Sequence, residues 1–107
     1  MDDVLTLLAP LWEQDGLGIF RQAGEPAARE VFGTVRSITR AEWAAAGQIG
    51  RKPELVFVTP WVNYQGEPEA LFHGRPYDIY RVYHVQETDE IELYLEEKVG
   101  VAHGNQD

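Results

Sequence analysis

The sequence predicts a mainly β fold: a small antiparallel β-barrel-like domain with one short inserted helix at about residues 40–46. Three observations support this prediction. Two runs of residues alternate between apolar and polar with a period of two, which is typical of half-buried strands. Short polar or glycine- and proline-containing breaks separate the runs, as expected for antiparallel hairpins. A single capping-box pattern marks the helix.

The clearest strands are predicted at residues 77–85 and 91–99. The polar residues 86–90 between them predict a turn, so the two runs form a hairpin. We expect the acidic side chains of the second run to be solvated, together with Asp89 in the turn. The apolar face of that run comprises Ile91, Leu93, Leu95 and Val99 and is interrupted only by Glu97, and the polar face comprises Glu92, Tyr94, Glu96 and Lys98.

Three further strands are predicted upstream of this hairpin. Residues 55–62 are apolar on both faces and rich in β-branched residues, which indicates a strand covered on both sides. Pro60 requires an edge position or a bulge in that strand. Residues 69–73 form the next strand and are followed by a turn at residues 74–76. Residues 29–38 alternate in the same way.

The N-terminal segment fits either a strand or a helix. An apolar face over residues 4–12 is compatible with a helix, but Pro10 would remove an interior helical hydrogen bond. Residues 15–18, with two glycines, are typical of a hairpin turn. Pairing with the following segment therefore favours a strand.

The inserted helix is predicted by a capping box at its start. The hydroxyl of Thr39 can accept from the amide of Glu42, whose side chain can reach back to the amide of Thr39. Residues 43–46 have high helix propensity, and Gly47 offers a left-handed stop. The stretch 47–53 has two glycines, two adjacent cations and a proline, so we expect it to be the most mobile part of the chain.

Length and composition favour one domain. The chain has 107 residues, and no repeat or linker divides residues 1–101; residues 102–107 form a short polar tail. No apolar run approaches the length of a membrane span, and the acidic start has the wrong charge for a signal peptide. The absence of cysteine excludes disulfides and thiolate metal sites.

The net charge argues against a protein that holds nucleic acid. Eighteen acidic residues outnumber nine basic ones, which gives a formal charge of −9. Binding through phosphates requires a dense basic footprint, whereas the one adjacent cation pair here is Arg51 and Lys52. The same charge disfavours anionic membrane surfaces.

The residues that carry catalysis are sparse, so we expect no enzyme activity, cofactor or metal site. Ser37 is the one serine, and no nucleophile elbow surrounds it. The histidines lack metal-ligand spacing; they are His73, His84 and His103. Glu92 and Glu96, or Asp89, offer carboxylates for a hydrolase, but their predicted exposure leaves no reason for a shifted pKa.

The aromatic residues allow more than one interpretation. Tyr80, Tyr83 and Tyr94 fit either a stacking platform for single-stranded nucleic acid or cross-strand packing, and the net charge favours packing. Trp43 is equally compatible with the core and with an anchor for a partner. Trp61 is expected in the core.

Several segments in order resemble the head-closure proteins, also called head–tail stoppers or adaptors, of long-tailed bacteriophages and prophages. The resemblance covers roughly residues 4–101. It departs from the family at Trp43, where relatives often carry Phe-Tyr, and at Pro60. The matching segments are VFGTVRSITRAEW at residues 31–43, AGQ at 46–48, GRKPE at 50–54, YQGE at 64–67, YDIYRVY at 77–83 and ELYL at 92–95, with Lys98 and Gly100 after them.

The resemblance implies a structural virion protein with no catalysis and no cofactor. Copies of such a protein form a ring, usually twelvefold, beneath the portal, close the DNA exit channel and provide a platform for the tail. The implied partners are the portal or a portal-side adaptor, a tail-completion or tail-terminator protein, and further copies of the chain, which is a monomer or weak oligomer in isolation. DNA passes through the channel without sequence-specific binding, and the protein resides in the host cytoplasm before assembly.

The resemblance also implies where the site residues lie. The segment after the helix reaches toward the channel, and its residues are Gly47, Gln48, Ile49, Gly50, Arg51 and Lys52. On the helix, Arg40 and Trp43 are candidates for partner contacts. A simpler interpretation leaves Gly47 as a helix stop and the loop without a role. The alternative function is a small β-barrel binding or regulatory module with a pocket lined by the strands 77–85 and 91–99.

Overall fold

Six antiparallel strands of the protein close into a barrel. The structure, a computed structural model, describes residues 3–14, 16–22 and 24–98. The elements within those residues are β1 (Asp3–Ala9), β2 (Trp12–Gln14), β3 (Phe20–Gln22), β4 (Ala27–Arg36), α1 (Arg40–Gln48), β5 (Leu55–Pro60), a 3-10 helix (Trp61–Asn63), β6 (Glu69–Phe72), β7 (Arg75–Val85) and β8 (Glu90–Glu97). The barrel order is β1–β4–β5–β8–β7–β6, and β6 pairs back to β1. The predicted β-barrel-like fold with one short helix is confirmed.

The N-terminal segment forms a strand and then leaves the barrel. β1 pairs with β4 from Asp3 opposite Gly33 to Ala9 opposite Ala27, so the strand interpretation is confirmed. Pro10 and Leu11 follow the end of β1. β2 and β3 then pair with each other as a separate two-stranded sheet, and we call residues 11–22 the arm. The predicted hairpin turn lies within the arm, except that its first residue is outside the described residues.

The barrel interior is filled by apolar side chains from all six strands. The predicted inward face of β8 is confirmed, because Ile91, Leu93 and Leu95 are buried. The rings of Phe57 and Phe72 meet edge to face, with their centroids 6.0 Å apart. The other buried core residues are Leu5, Leu7, Val31, Ala70 and Tyr77.

One glycine lies where β4 changes its pairing partner from β1 to β5. Gly33 is the last residue of β4 paired with β1, and Thr34 is the first paired with β5. A Cβ atom at Gly33 would collide with the carbonyl oxygen of Val58 and with the ring of Phe57. Only glycine fits this close approach of two backbones.

A bulge in β7 overturns the predicted alternation across residues 77–85. Ile79 lies opposite Leu95, whereas Arg81 lies opposite Tyr94, so Tyr80 is an extra residue on one strand. One inserted residue exchanges the two faces of a strand beyond it. Arg81 therefore lies on the outer face with Tyr94 rather than on the face of Ile79.

The remaining strand boundaries differ from prediction in small ways. β5 ends at Pro60, and the 3-10 helix replaces the predicted last strand residues. Arg75 and Pro76 pair with β6, so the predicted turn 74–76 is wrong, and the turn is at residues 73–74. β8 ends at Glu97, while the predicted strand end at Val99 and the tail 102–107 lie outside the described residues.

Candidate functional site

Helix α1 begins as the sequence predicts and ends later. The amide of Glu42 donates to the hydroxyl oxygen of Thr39 at 3.1 Å, and the amide of Thr39 donates to the carboxylate of Glu42 at 3.0 Å, which confirms the capping box. The helix continues through Gln48, so the prediction of Gly47 as its left-handed stop is wrong. The left-handed residue is Gly50, with φ of 76°, because the chain turns there and not within the last helical turn.

A network of charged and phenolic groups attaches α1 to the outside of the barrel. We call Arg36, Glu42, Glu92 and Tyr94 the clamp. The guanidinium of Arg36 donates to both carboxylate oxygens of Glu42, at 2.8 and 3.0 Å, and to Glu92 at 3.1 Å. The hydroxyl of Tyr94 donates to Glu42 at 2.8 Å. The clamp joins β4, α1 and β8.

The prediction that the outer face of β8 is solvated is wrong at the clamp. Tyr94 is only 2% exposed, and Glu92 is half-buried beside Arg36. The alternation of β8 correctly places these side chains on the outward face. The helix then lies over that face, and alternation within one strand contains no information about such a cover.

The ionisation of the clamp favours a structural role over proton transfer. The Arg36 guanidinium holds the pKa of Glu42 far below its usual range, and Glu42 in turn raises the pKa of Arg36. Burial and the hydrogen bond to Glu42 raise the pKa of Tyr94 to about 12. At neutral pH the carboxylate of Glu42 stays charged and the phenol of Tyr94 stays protonated, so neither group exchanges a proton readily.

The segment after α1 is tied to β8. Arg51 donates to one carboxylate oxygen of Glu96 at 2.7 Å, and the amide of Lys52 donates to the other at 2.9 Å. The amide of Glu54 donates to the carbonyl oxygen of Leu95 at 2.8 Å. Burial alone would raise the pKa of Glu96, but Arg51 and the Lys52 amide outweigh it and hold that pKa below its usual range. These contacts restrain the stretch that was expected to be the most mobile.

The predicted site residues lie in two places: residues 47–52 at the end of α1 and just after it, and the two partner candidates in the first turns of α1. Gly47 and Gln48 lie in the last turn of α1. Ile49, Gly50 and Lys52 are exposed, and the cation of Arg51 is engaged with Glu96. The two candidates for partner contacts, Arg40 and Trp43, are both exposed.

The aromatic predictions have mixed outcomes. Tyr80 and Tyr94 pack edge to face with centroids 6.1 Å apart, which confirms cross-strand packing for this pair. Tyr83 is about half-exposed. Trp61 is 42% exposed and stacks on His84 with the ring centroids 3.9 Å apart. The prediction that Trp61 lies in the core is therefore wrong. β5 ends at Pro60, just before Trp61, and the indole packs on the ring of His84 in β7 instead of entering the core.

A groove opens between α1 and the outer face of the barrel. Its cavity has a volume of about 300 Å³, and we call it the α1 groove. Ala45 and Ile49 lie on its helix side, and Tyr80, Arg81 and Tyr94 lie on its barrel side. The guanidinium of Arg81 lies 4.6 Å from the ring centroid of Tyr94. Sequence reasoning missed Arg81 because the bulge that turns it outward has no signature in the sequence.

The arm presents large apolar side chains at the surface. Trp12 is 61% exposed, although indole is among the costliest side chains to leave in water. The sequence predicts the end of a strand and a hairpin turn here, and it does not indicate that these side chains form an exposed surface. The other exposed apolar residues in or beside its two strands are Leu11, Leu17 and Ile19.

A buried ion pair lies near the arm end of the barrel. Glu67 is 6% exposed and accepts two hydrogen bonds from Arg29, at 2.7 and 2.9 Å, and one from the amide of Gln65 at 3.0 Å. Arg29 also donates to the carbonyl oxygen of Asn63 at 2.7 Å. Burial alone would raise the pKa of Glu67, but these donors outweigh it and lower that pKa. The pair ties the segment before β6 to β4.

Neither the comparisons with known proteins nor the geometry of the described residues assigns a family or a metal site to the chain. Within residues 3–14, 16–22 and 24–98, no three His, Asp or Glu side chains are arranged to hold a metal ion. In the same part of the chain, no helix has the length and apolarity needed to cross a bilayer. No protein-family model matches the chain, and a search of curated proteins found no significant match.

Proposed function

We propose that the protein is a structural head-completion subunit of a long-tailed phage or prophage. Copies assemble as a ring beneath the portal, close the DNA exit channel and offer an attachment platform to the tail. The observation that carries this proposal is the exposure of large apolar side chains on the arm and on or just after α1, in addition to those on the barrel itself. The protein acts by assembly, at the head–tail interface of the virion, and before assembly it is in the host cytoplasm.

The closed barrel leaves association to side-chain surfaces and not to strand edges. Each strand of the barrel pairs with two neighbours over part of its length, so the sheet offers no long open edge for strand addition. The large exposed apolar side chains include Trp12 and Leu17 on the arm, and Trp43 and Ile49 on or just after α1. Exposed apolar surface beside polar residues is typical of protein interfaces. A subunit with two such surfaces can contact a neighbouring copy and a portal-side or tail-side partner.

The net negative charge of the chain supports a channel through which DNA passes without binding to the wall. The chain carries −9 formally, and at least five of its cations are paired with carboxylates of the same chain: Arg29, Arg36, Arg51, Arg75 and Lys98. A ring of acidic subunits repels phosphates, and few cations remain to release counterions from DNA. DNA therefore slides through the ring instead of adhering to it.

The two cations of segment 47–52 differ in their contacts. Arg51 is bound to Glu96 and holds the segment on β8, whereas the ammonium group of Lys52 forms no ion pair in the described residues. Lys52 is therefore the residue that meets the DNA end in the closed channel. Lys52→Glu is expected to lower DNA retention in assembled heads and to leave the unfolding temperature unchanged. Lys52→Gln, the matched control, separates loss of charge from its reversal; equal retention in all three proteins would contradict this role.

The proposal is tested on heads that lack the protein. Purified protein is added to DNA-filled, tail-less heads, and DNA retention is measured by nuclease protection and tail joining by infectivity. We expect retained DNA and tail attachment. Heads that continue to lose DNA and remain without tails after the addition would overturn the proposal.

The α1 groove supports a second candidate, a binding or regulatory module. A cavity of about 300 Å³ is at the lower limit for small-ligand sites, and Arg81 supplies a polar group on one wall. This candidate predicts that a planar anionic ligand raises the unfolding temperature by several degrees when present at about 100 times its Kd. It predicts also that Arg81→Gln abolishes the shift. A screen of such ligands without any shift would exclude it.

A further inference from the structure

We infer that the part of the outer sheet face that α1 leaves uncovered is the docking site for a cationic amphipathic helix of a different protein. We call this surface the open half. The inference rests on the proposed function only in assigning that helix to a portal-side or tail-side partner. Three observations carry it: the exposed apolar side chains of the open half, the room for one helix beside α1, and an acidic charge without cations.

The strand register defines the open half as two rows of outward side chains beside α1. The row on which α1 lies joins cross-strand partners on β4, β5, β8 and β7, and they are Arg36, Val56, Tyr94 and Arg81. Two residues further along each strand lies the first row of the open half: Thr34, Val58, Glu92 and Tyr83. Two residues beyond these lies its second row: Phe32, Pro60, Glu90 and Val85.

Exposure rises along β5 where the cover provided by α1 ends. Val56 has no exposed surface, Val58 is half-buried and Pro60 is exposed, although all three face outward. On the neighbouring strands, Phe32 is 60% exposed and Tyr83 is 52% exposed. Aromatic and aliphatic side chains that lie together and exposed on one face are typical of protein interfaces. The open half is therefore a surface for a partner and not a second solvated face.

The open half has room for one helix beside α1. Its second row lies four residues from the row of Val56 on each strand, which is about 13 Å at about 3.3 Å per residue. Packed helices lie about 8–10 Å apart, axis to axis. A helix beside α1 therefore lies between the two rows of the open half, where its apolar side chains reach Phe32 and Tyr83.

Helix α1 itself shows how a helix lies on this sheet face. Near its start, Glu42 contacts Arg36 in β4, and just after its end Ile49 lines the α1 groove together with Arg81 in β7. α1 thus crosses the four strands from β4 to β7 and does not follow one of them. A partner helix in the same orientation contacts all four strands of the open half.

The charge of the open half selects a cationic partner. Five acidic residues lie on it, two residues beyond it on β4, or in the adjoining turn between β7 and β8: Glu30, Glu87, Asp89, Glu90 and Glu92. The described strands place no Lys or Arg in its two rows. Lys and Arg beside the apolar stripe of a partner helix are attracted to these carboxylates.

A second copy of the chain does not fit the open half. Among the described residues α1 is the one α-helix, and its two charged residues, Arg40 and Glu42, cancel each other. The net charge of −9 opposes the docking of another copy on an acidic face. The same carboxylates repel the phosphates of a nucleic acid. The occupant is therefore a protein that carries the cations which this chain lacks.

Peptide binding to the isolated chain tests the inference. The probe is a synthetic peptide of Leu and Lys, about 14 residues or four helical turns long, with the leucines on one helix face. The comparison peptide has Glu in place of every Lys. Fluorescence anisotropy of the labelled peptides at about 50 mM salt is expected to give a Kd about tenfold lower for the Lys peptide. No binding, or equal binding of the two peptides, would overturn the inference.

The location of the bound peptide is measured by NMR. We expect the Lys peptide to shift the amide signals of Phe32, Val58 and Tyr83 and to leave those of Ala45 and Ile49 in place. Shifts confined to the α1 groove would overturn the inference, since that groove is the other concave surface beside α1.

A charge-matched pair of double variants separates the open half from net charge. Glu30→Lys with Glu90→Lys changes the total charge as much as Glu25→Lys with Glu54→Lys, whose exposed carboxylates precede β4 and β5. We expect the first double variant to weaken binding of the Lys peptide about tenfold and the control about twofold. Equal weakening would mean that binding follows net charge alone, and it would overturn the inference.

A second matched pair tests the apolar contact. Phe32→Ala is expected to weaken peptide binding about fivefold, whereas Ile49→Ala, at a side chain that is 70% exposed, is expected to change it less than twofold. Circular dichroism verifies that each variant is folded. Equal Kd values for Phe32→Ala and the wild type would overturn the inference.

Two further results would assign the open half to another occupant. Self-association of the wild type that Phe32→Ala abolishes, measured by sedimentation velocity, would place a second copy there. Tighter peptide binding by Trp12→Ala would show that the arm of the same chain competes for the surface. Either result would contradict the inference.

The failure of this inference is distinguishable from failure of the proposed function. A chain that seals heads but binds no cationic helix would overturn the docking site and leave the function intact. A chain that binds the Lys peptide at the open half but does not seal heads would overturn the function and retain the docking site.

Discussion

The barrel interior and the attachment of α1 are held by different kinds of interaction. The interior is a continuous apolar core in which Phe57 and five other large side chains are fully buried. By contrast, Ala46 is the one buried residue of α1, and the helix is attached through the clamp around Arg36. The stabilisation that comes from apolar burial does not depend on the direction of individual contacts or on charge. The hydrogen bonds and ion pairs of the clamp depend on both.

This difference indicates which part of the protein is a scaffold and which part can respond to partners. A two-to-three-turn helix is unstable alone, so α1 exists because the barrel and the clamp support it. A displacement of α1 would change a small number of polar contacts and leave the apolar core in place. The groove and Lys52, which carry the proposed contacts, belong to this second region.

The largest expected effect is on the core. Phe57→Ala is expected to lower the free energy of unfolding by about 3–5 kcal/mol, because it removes a fully buried ring and leaves a cavity. Urea denaturation measures the change. The matched control is Phe32→Ala, since Phe32 is 60% exposed and should change stability by about 0.5 kcal/mol or less. Similar losses for both variants would refute the assigned core.

The second effect concerns the one buried carboxylate at the arm end. Glu67→Gln removes the charge that pairs with Arg29 and is expected to cost about 2 kcal/mol, less than for a fully buried pair because Arg29 is about one-third exposed. Chemical denaturation is again the measurement, with the exposed turn residue in Glu87→Gln as the control. A neutral Glu67→Gln would show that the pair does not hold the segment before β6.

A smaller and more local effect is expected at the clamp. Arg36→Met is expected to cost about 1–2 kcal/mol, because it leaves Glu42 and Glu92 without their shared cation. Hydrogen exchange should become about tenfold faster in α1 and remain unchanged in β8, since local opening is separate from global unfolding. Arg40→Met, at a cation without an ion pair in the described residues, should change neither. Equal acceleration in helix and barrel would remove the distinction between the two regions.

The smallest effect is the pH dependence of stability that arises from three hydrogen-bonded carboxylates, one of which belongs to the clamp. The folded-state pKa values of Glu42, Glu67 and Glu96 lie below the unfolded value of about 4.3. Their stabilisation is therefore complete above about pH 5 and is lost as the pH falls through the unfolded and then the folded pKa. We expect the unfolding free energy to fall by about 1–2 kcal/mol between pH 5 and pH 3. Glu42→Gln should reduce this slope; an unchanged slope would exclude Glu42 as a contributor.

Sequence reasoning succeeded where the determining contacts are local. The alternation of β8 predicted the burial of Ile91, Leu93 and Leu95, and residues 39–42 predicted the start of α1, because neighbours within four residues decide both. The bulge at Tyr80 was missed because the register of β7 depends on its pairing with β8.

The candidate site was less predictable than the fold for the same reason. Glu67 meets Arg29 across 38 residues, and Arg36 meets Tyr94 across 58. No pattern within a short window predicts such contacts. The exposure of Trp12 depends on the departure of the chain from the barrel after Pro10, and the sequence shows only that proline interrupts the strand.

The proposed head-completion function is tested most directly by deleting this gene from the phage or prophage that the proposal implies and measuring the infectious titre. We expect packaged particles without tails that leak DNA and are almost devoid of infectivity, with the titre restored when the chain is supplied from a plasmid. A normal titre in the deletion strain, from particles shown by mass spectrometry to lack the chain, would contradict the account.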